Sequence, residues 1–253
     1  MAKSHADDMS QRTQSQLLTV SQVNADHPVT KLTRFSAFAI LIASSAFASE
    51  SERRIDHAAS AFQELMRTPD KGIPRDLLER ANCIIIIPGL KKGAFGFGGK
   101  YGRGFAACRR GSGWGTPASV RIEGASFGFQ IGGSSTDVFM LVMNSSGMKR
   151  LIADKFTLGG EAAAAAGPVG RESSANTDVL MTAEILSWSR SRGVFAGLSL
   201  EGATVRPDGS ENERLYGKHV TNKEIIEGSV RAPRSAHALT ATLNQYASRQ
   251  RHS

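Results

Sequence analysis

The side chains in this sequence whose types and spacing could do chemistry are chiefly its cations, several of which occur as adjacent pairs. Lys91-Lys92, Arg109-Arg110 and Lys149-Arg150 stand beside strand-like runs, with Lys100, Arg103, Arg190 and Arg192 close to turns. Pairs at strand ends can converge on one rim of a sheet, where several cations would meet phosphate, Arg by bidentate hydrogen bonds. Any single pair is equally explained as solvated turn charge. The candidate headgroup contacts are Lys91, Lys92, Lys100, Arg103, Arg109 and Arg110, joined by Arg53 and Arg54 from the charged face of an upstream amphipathic segment. The chain holds 31 Lys and Arg against 23 Asp and Glu, a formal charge of +8. Such a surface favours anionic partners: nucleic acid, acidic lipid or the cell envelope. Nucleic acid is the weakest of these, because no aromatic side chains interleave with the charges to stack on bases.

Catalytic patterns fail on their spacing. In a phosphate-binding P-loop, Gly-Lys is followed by Ser or Thr; here Gly99-Lys100 is followed by Tyr101, and Ala94 stands where the first Gly belongs. A hydrolase needs a nucleophile beside a base. Within residues 49–228 the only histidines are His57 and His219, and Ser126-Phe127-Gly128 reads as alternating strand rather than nucleophile elbow. Asp137, Asp154, Glu161 and Asp178 fall on different elements. Cys83 and Cys108 lack close histidine partners, so they make no convincing metal site. They are a disulfide if the chain is exported, or equally two buried thiols. The expectation is a binding protein, not an enzyme, with neither metal nor cofactor.

The elements that must position these cations begin after an N-terminal leader. Lys31 and Arg34 precede a short apolar run, residues 35–43, which closes on Ser45, Ala46, Phe47 and Ala48. Positive charge, short apolar core and small-x-small ending form the pattern of a secretory signal peptide; the run falls short of the ~20 residues of a membrane span. Residues 1–30 are polar without apolar periodicity, so 1–48 is read as extension and signal, excluded from the fold. Removing it lowers the net charge by only one.

Residues 49–228 read as one domain and 229–253 as a basic polar tail, frayed or a loosely packed helix. Ser49 with Glu52 fits a capping box, and Ile55, Ala58, Ala59, Phe62, Leu65 and Met66 recur at helical spacing. That helix is expected to be a lid on the domain rather than a membrane-lying anchor. Pro74 starts a second short helix through Leu77, Leu78 and Ala81. The β-branched run 83–87 reads as a buried strand ending at Pro88-Gly89. Residues 93–104 alternate large residues with Gly, as a curved hairpin would. Strands follow at 105–108, 118–122, 126–131 and 138–143, as antiparallel meanders. Residues 147–153 suit a short helix, and 180–189 with 194–200 flank a hairpin at Ser191-Arg192-Gly193. Pro207-Asp208-Gly209 reads as a turn, and Thr221 with Glu224 caps a helix ending near Gly228. The fold class is α+β: a Gly-rich, mostly antiparallel sheet or barrel-like core with N-terminal amphipathic helices and short flanking helices.

Residues 82–228 resemble the SYLF domain family. The matching text comprises the apolar strand before Pro88-Gly89, the Gly-rich 93–104 segment and Gly113-Trp114-Gly115-Thr116-Pro117. It continues with Ser126-Phe127-Gly128-Phe129-Gln130-Ile131-Gly132, then Asp137, Gly167-Pro168-Val169-Gly170-Arg171, the segment from Trp188 to Gly197, and Leu215-Tyr216-Gly217. The resemblance implies binding of phosphoinositides or other acidic phospholipids, with an amphipathic helix assisting membrane contact. For eukaryotic relatives it also implies actin binding. Export shifts the expected partner from actin and phosphoinositide to an anionic envelope phospholipid, met peripherally in the periplasm or outside the cell. The alternative is an envelope structural or protein-interaction module. Mass spectrometry of the protein from its native host should find Ser49 as the N-terminus; intact 1–48 peptides in the folded pool would contradict the leader reading.

Overall fold

One apolar strand with both faces buried organises the architecture. The computed structural model describes residues 50–68, 72–95, 97–127, 132–153, 155–168, 182–191, 194–198 and 200–247. The signal-peptide reading, Ser49, residues 128–131 and 169–171, and the hairpin tip at 192–193 lie outside these residues. Strand β1 (Cys83–Phe95) pairs antiparallel with β2 (Phe97–Arg110) on one side and β5 (Gly132–Val142) on the other. Outward from β2 come β4 (Ala118–Phe127), β10 (Thr204–Pro207) and β6 (Phe156–Thr157); outward from β5 come β8 (Ile185–Ser191) and β7 (Ala164–Ala166). Short β3 (Gly113–Trp114) pairs with β2, and β9 (Val194–Gly197) with β8. All these pairs are antiparallel except β7 with β8, and the sheet curls into a half-barrel, as an α+β fold.

The Cys-Ile-Ile-Ile-Ile run serves two cores. Ile84 and Ile86 face a helical layer. This layer contains α1 (residues 50–67), α2 (Arg75–Arg80) and α6 (Ala236–Ala247), and the core also takes in Phe105, Phe139 and Trp188. Cys83, Ile85, Ile87 and Leu90 face the other way, among Val120, Ile122, Val138, Met140 and Val205. That second core is closed by Leu151 of α3 (Ser145–Ile152) and by Ile225 and Ile226 of α5 (Asn222–Ile226). Strands buried on both faces read as continuous apolar runs, and each isoleucine so buried contributes about 1.5–3 kcal/mol.

Several strands run longer than the sequence indicates. Pro88-Gly89 does not end β1: the pairing shifts register between Ile87 and Leu90 against β5, so the dipeptide sits in a bulge and the strand continues to Phe95. A bulge already interrupts the ladder, which is where a missing proline N–H is tolerated. Gly89 adopts φ +64° there, and its N–H donates to Asp137 Oδ1 at 2.9 Å. Residues 105–108 belong to β2 rather than to a separate strand, and 118–122 continue through Phe127. Gly104 lets β2 approach β1 closely, since a Cβ there would lie 1.9 Å from the Ile86 carbonyl oxygen. Cys83 and Cys108, directly opposite in register, form a disulfide, so of the two readings the bonded one holds.

Two segments differ more deeply. Asp208 is not in a simple turn: it caps α4 (Gly209–Tyr216) by accepting from the Glu211 N–H. The tail is not loosely packed either. Ala236, Leu239, Leu243 and Ala247 of α6 are buried in the helical-side core. Trp114 donates its backbone N–H to Asn244 Oδ1 (2.8 Å) and its indole N–H to the Ala247 carbonyl (3.0 Å). Apolar residues three and four apart suffice to bury one face of a helix whose other face is polar. Helices α2, α3 and α5 and the β8–β9 hairpin follow the sequence reading, α5 with its complete Thr221–Glu224 capping box.

Helix α1 packs as a lid. Ile55, Ala58, Phe62 and Leu65 are essentially inaccessible, and the Phe62 ring lies 6.5 Å from the rings of Phe139 and Tyr246. Phe62→Ala should therefore cost about 3–5 kcal/mol, read as a clear drop in urea midpoint and melting temperature. A melt overlaying the unmutated protein would show that the helix is not part of the core.

Candidate functional site

The eight candidate cations do not form one surface. Arg54 and Arg103, both half-buried, are tied up by buried carboxylates. Glu211, almost fully buried, accepts from Arg54 and from Arg214 (2.9 Å) and lies 3.7 Å from Arg103. Asp208, fully buried, pairs with Arg103 at 3.0 Å. Burial works against the Arg103 charge, but Asp208, a hydrogen bond to Tyr101 and Glu211 outweigh it and hold its pKa above the ordinary value. Removing one partner from such a buried set leaves an uncompensated charge. A second cluster clamps the other part of α1: Glu64 pairs with Arg190, Arg190 with Asp137 (2.9 Å), and His57 stands 3.6 Å from Asp137. Desolvation opposes the Arg190 charge too, and is outweighed by Glu64 and Asp137. The two clusters tie the lid to α4 and to the sheet.

Arg109 is likewise structural. Its guanidinium lies 4.0 Å over the Trp114 ring and donates to the carbonyls of Leu78 (2.6 Å) and Ala81 (3.3 Å). Arg110 is exposed but lies over Gly228, where a Cβ would strike its Nη1. These two sit at the far end of β2 from Lys100, nine residues or about 30 Å along the strand. The basic pairs thus do not converge on one rim. Lys149 and Arg150 lie apart again on α3, Arg150 paired with Glu184 at 3.1 Å, and Arg53 is on the exposed side of α1.

Lys91, Lys92 and Lys100 remain, and the β1–β2 hairpin brings them together. Lys92 and Lys100 are directly opposite in register, with Ser134 of β5 beyond Lys92 and Gly124 of β4 beyond Lys100. Side chains so placed have Cβ atoms about 4.5–5.5 Å apart, and like charges there repel. Among the described residues no carboxylate pairs with either. Lys100 Nζ reaches only the Glu201 carbonyl, at 3.5 Å. Partial burial, then the Lys92 charge, lowers the Lys100 pKa below 10.5. Lys91 projects from the other face, opposite Tyr101, which is 43% exposed. The result is a cationic end of the sheet whose charge no described carboxylate neutralises. An arrangement of this kind attracts anions. Ser126 lies within β4, opposite Gly98, and not on a strand-to-helix elbow.

The sequence reading missed Asp208, Glu211, Arg121 and Arg206. A signal for the last two was present: Arg121 and Glu123 alternate on a strand, as Thr204 and Arg206 do, which places each pair on one face.

The described residues thus form a half-barrel sheet carrying the clamped helix α1 and a cationic hairpin end. Residues 123–246 match the family model described as Ysc84, Las17-binding protein actin regulator, and the chain carries a Ysc84/SYLF family domain. Protein YSC84 of Saccharomyces cerevisiae is 34% identical over 183 residues, covering 70% of this chain and 39% of that protein. LAS seventeen-binding protein 3 of the same species matches to the same extent. The human SH3 domain-containing YSC84-like protein 1 is 29% identical over 180 residues, 70% of this chain and 52% of its own length. The chain thus spans between two fifths and about half of these relatives.

The two kinds of cation should separate in a stability measurement. Arg109→Ala leaves buried carbonyls without donors, at about 1–3 kcal/mol, and should lower the urea midpoint. Lys92→Ala relieves a repulsion and should leave it unchanged or raise it by a few tenths of a kcal/mol. Equal losses from both would mean that Lys92 is as structural as Arg109.

Proposed function

We propose that this chain is an exported, non-catalytic domain that binds acidic phospholipid surfaces through the cationic end of the β1–β2 hairpin. One observation carries the reading: Lys92 and Lys100 meet across the hairpin, with Lys91 on the other face of the same sheet end, and no described carboxylate neutralises them, whereas Arg54, Arg103 and Arg109 are consumed internally. Each cation near an anionic membrane contributes about 1 kcal/mol, so the three together supply useful but salt-sensitive affinity. Export is supported by the leader pattern and by the Cys83–Cys108 disulfide, a bond that persists in oxidising compartments. Under this reading the partner is an anionic envelope lipid.

A second reading, a protein-interaction module acting on actin or its regulators, draws on the family description alone. Co-sedimentation separates the two. Residues 49–253 should pellet with vesicles containing acidic phospholipid, fail to pellet with neutral vesicles, and be released by salt. Replacing Lys91, Lys92 and Lys100 together by Ala should weaken binding on the order of 100-fold, the equivalent of about 3 kcal/mol, with the melting temperature retained. Binding indifferent to both salt and the triple substitution would refute the site. Pelleting with filamentous actin but with no vesicle would favour the second reading.

A further inference from the structure

A different line of cations crosses the sheet on the face that carries α1. Arg103 of β2, Arg121 of β4 and Arg206 of β10 stand directly opposite one another in register. Lys155, the residue entering β6, extends the row, because Val205 pairs with Phe156 one position earlier. Neighbours in such a row lie about 4.5–5.5 Å apart at Cβ, close enough for like charges to repel. Two of the four are neutralised within the protein: Arg103 by Asp208 and Glu211, and Arg206 by Glu123. Among the described residues Arg121 and Lys155 pair with no carboxylate. Moreover Arg121 Nε is shut away from solvent and finds no hydrogen-bond acceptor, a feature that calls for an explanation in a native structure.

Beside this row lies a cavity of about 580 Å3 whose lining includes Lys155, Arg206, Thr157, Thr204, Glu123 and Glu161. Its two acids are already engaged, Glu123 by Arg206 and Glu161 by the Thr157 N–H at 2.7 Å. The Arg206 guanidinium, shared with Glu123, the Lys155 ammonium and two threonine hydroxyls line it to meet a ligand, with Arg121 next along the row. That donor set matches a compact, multiply charged oxyanion, since Arg presents paired N–H groups to two oxygens of one phosphate while Lys acts as a point charge.

We propose that Arg121, Arg206 and Lys155 form a phosphate-binding site at the β4–β10–β6 edge of the sheet. The site is separate from the Lys92–Lys100 pair, which projects from the opposite face, and does not depend on the membrane reading. A phosphate seated among these cations screens the repulsion along the row. The phosphate belongs either to a small soluble compound or to a lipid headgroup.

Inorganic phosphate is the first probe, titrated into the folded chain against chloride at equal ionic strength, with melting temperature and calorimetric heat as readouts. Phosphate should raise the melting temperature in a saturable way beyond chloride, as a ligand selective for the native state does. Arg121→Gln and Lys155→Gln should each reduce phosphate affinity at least tenfold, while Lys92→Ala with Lys100→Ala leaves it intact. Lys155 is exposed, so its variant keeps the test readable should the Arg121 variant fail to fold. Vesicles containing phosphatidic acid form the second arm. Binding that inorganic phosphate competes away, and that Lys155→Gln weakens, assigns a lipid headgroup. A phosphate response with those vesicles inert assigns a soluble compound. No phosphate effect beyond chloride, or an undiminished one in Lys155→Gln, overturns the site.

Discussion

Everything else in this domain depends on one strand being apolar on both faces. Ile84 and Ile86 hold the helical layer, while Ile85 and Ile87 hold the layer built on β4, β10 and α5. A strand with a polar face could join only one of these cores, and the chain would lose either its lid or its far wall. The Cys83–Cys108 disulfide ties this strand to β2 at their directly opposed ends. In the chain-entropy account, a bond closing a 25-residue separation contributes about 3 kcal/mol by restricting the unfolded chain. The cross-link and the doubly buried strand thus reinforce the same point of the fold.

With the sheet fixed, the cations divide by chemistry. Arginines occupy the places where a planar, multidentate group must satisfy several acceptors at once: Arg103 between Asp208 and Tyr101, Arg109 between Trp114 and two carbonyls, Arg190 between Glu64 and Asp137. Lysines occupy the hairpin end, each a flexible point charge whose head can reach water past a partly covered stem. A count of positive charge alone cannot make this distinction, because both residues add one unit to the total.

What could be read from sequence follows from how local the determining interactions are. Helix α1 announces itself by apolar spacing within its own residues, and α5 by Thr221 and Glu224 three positions apart. The β8–β9 hairpin is equally local. The burial of Arg54 is not, since its partner Glu211 lies 157 residues away. Pro88-Gly89 looked like a strand end because the bulge that accommodates it is created by pairing with β5. Asp208 looked like a turn residue because its cap on α4 and its ion pair with Arg103 both depend on the folded sheet. Helix α6 was obscured by its polar flank, although four small or apolar residues were enough to seat it. The cationic hairpin end was half legible: Lys91, Lys92 and Lys100 stand among the eight candidate cations, but only the register shows which of the eight meet.

The anchoring of Trp114 by Asn244 and Ala247 has a bearing on biogenesis. These contacts join positions 130 and 133 residues apart, so the helical-side core is incomplete until α6 has been synthesised. A nascent chain stopped short of that helix leaves the indole N–H without its acceptor and part of one face of the sheet uncovered. Non-local closure of this kind delays folding until late in synthesis.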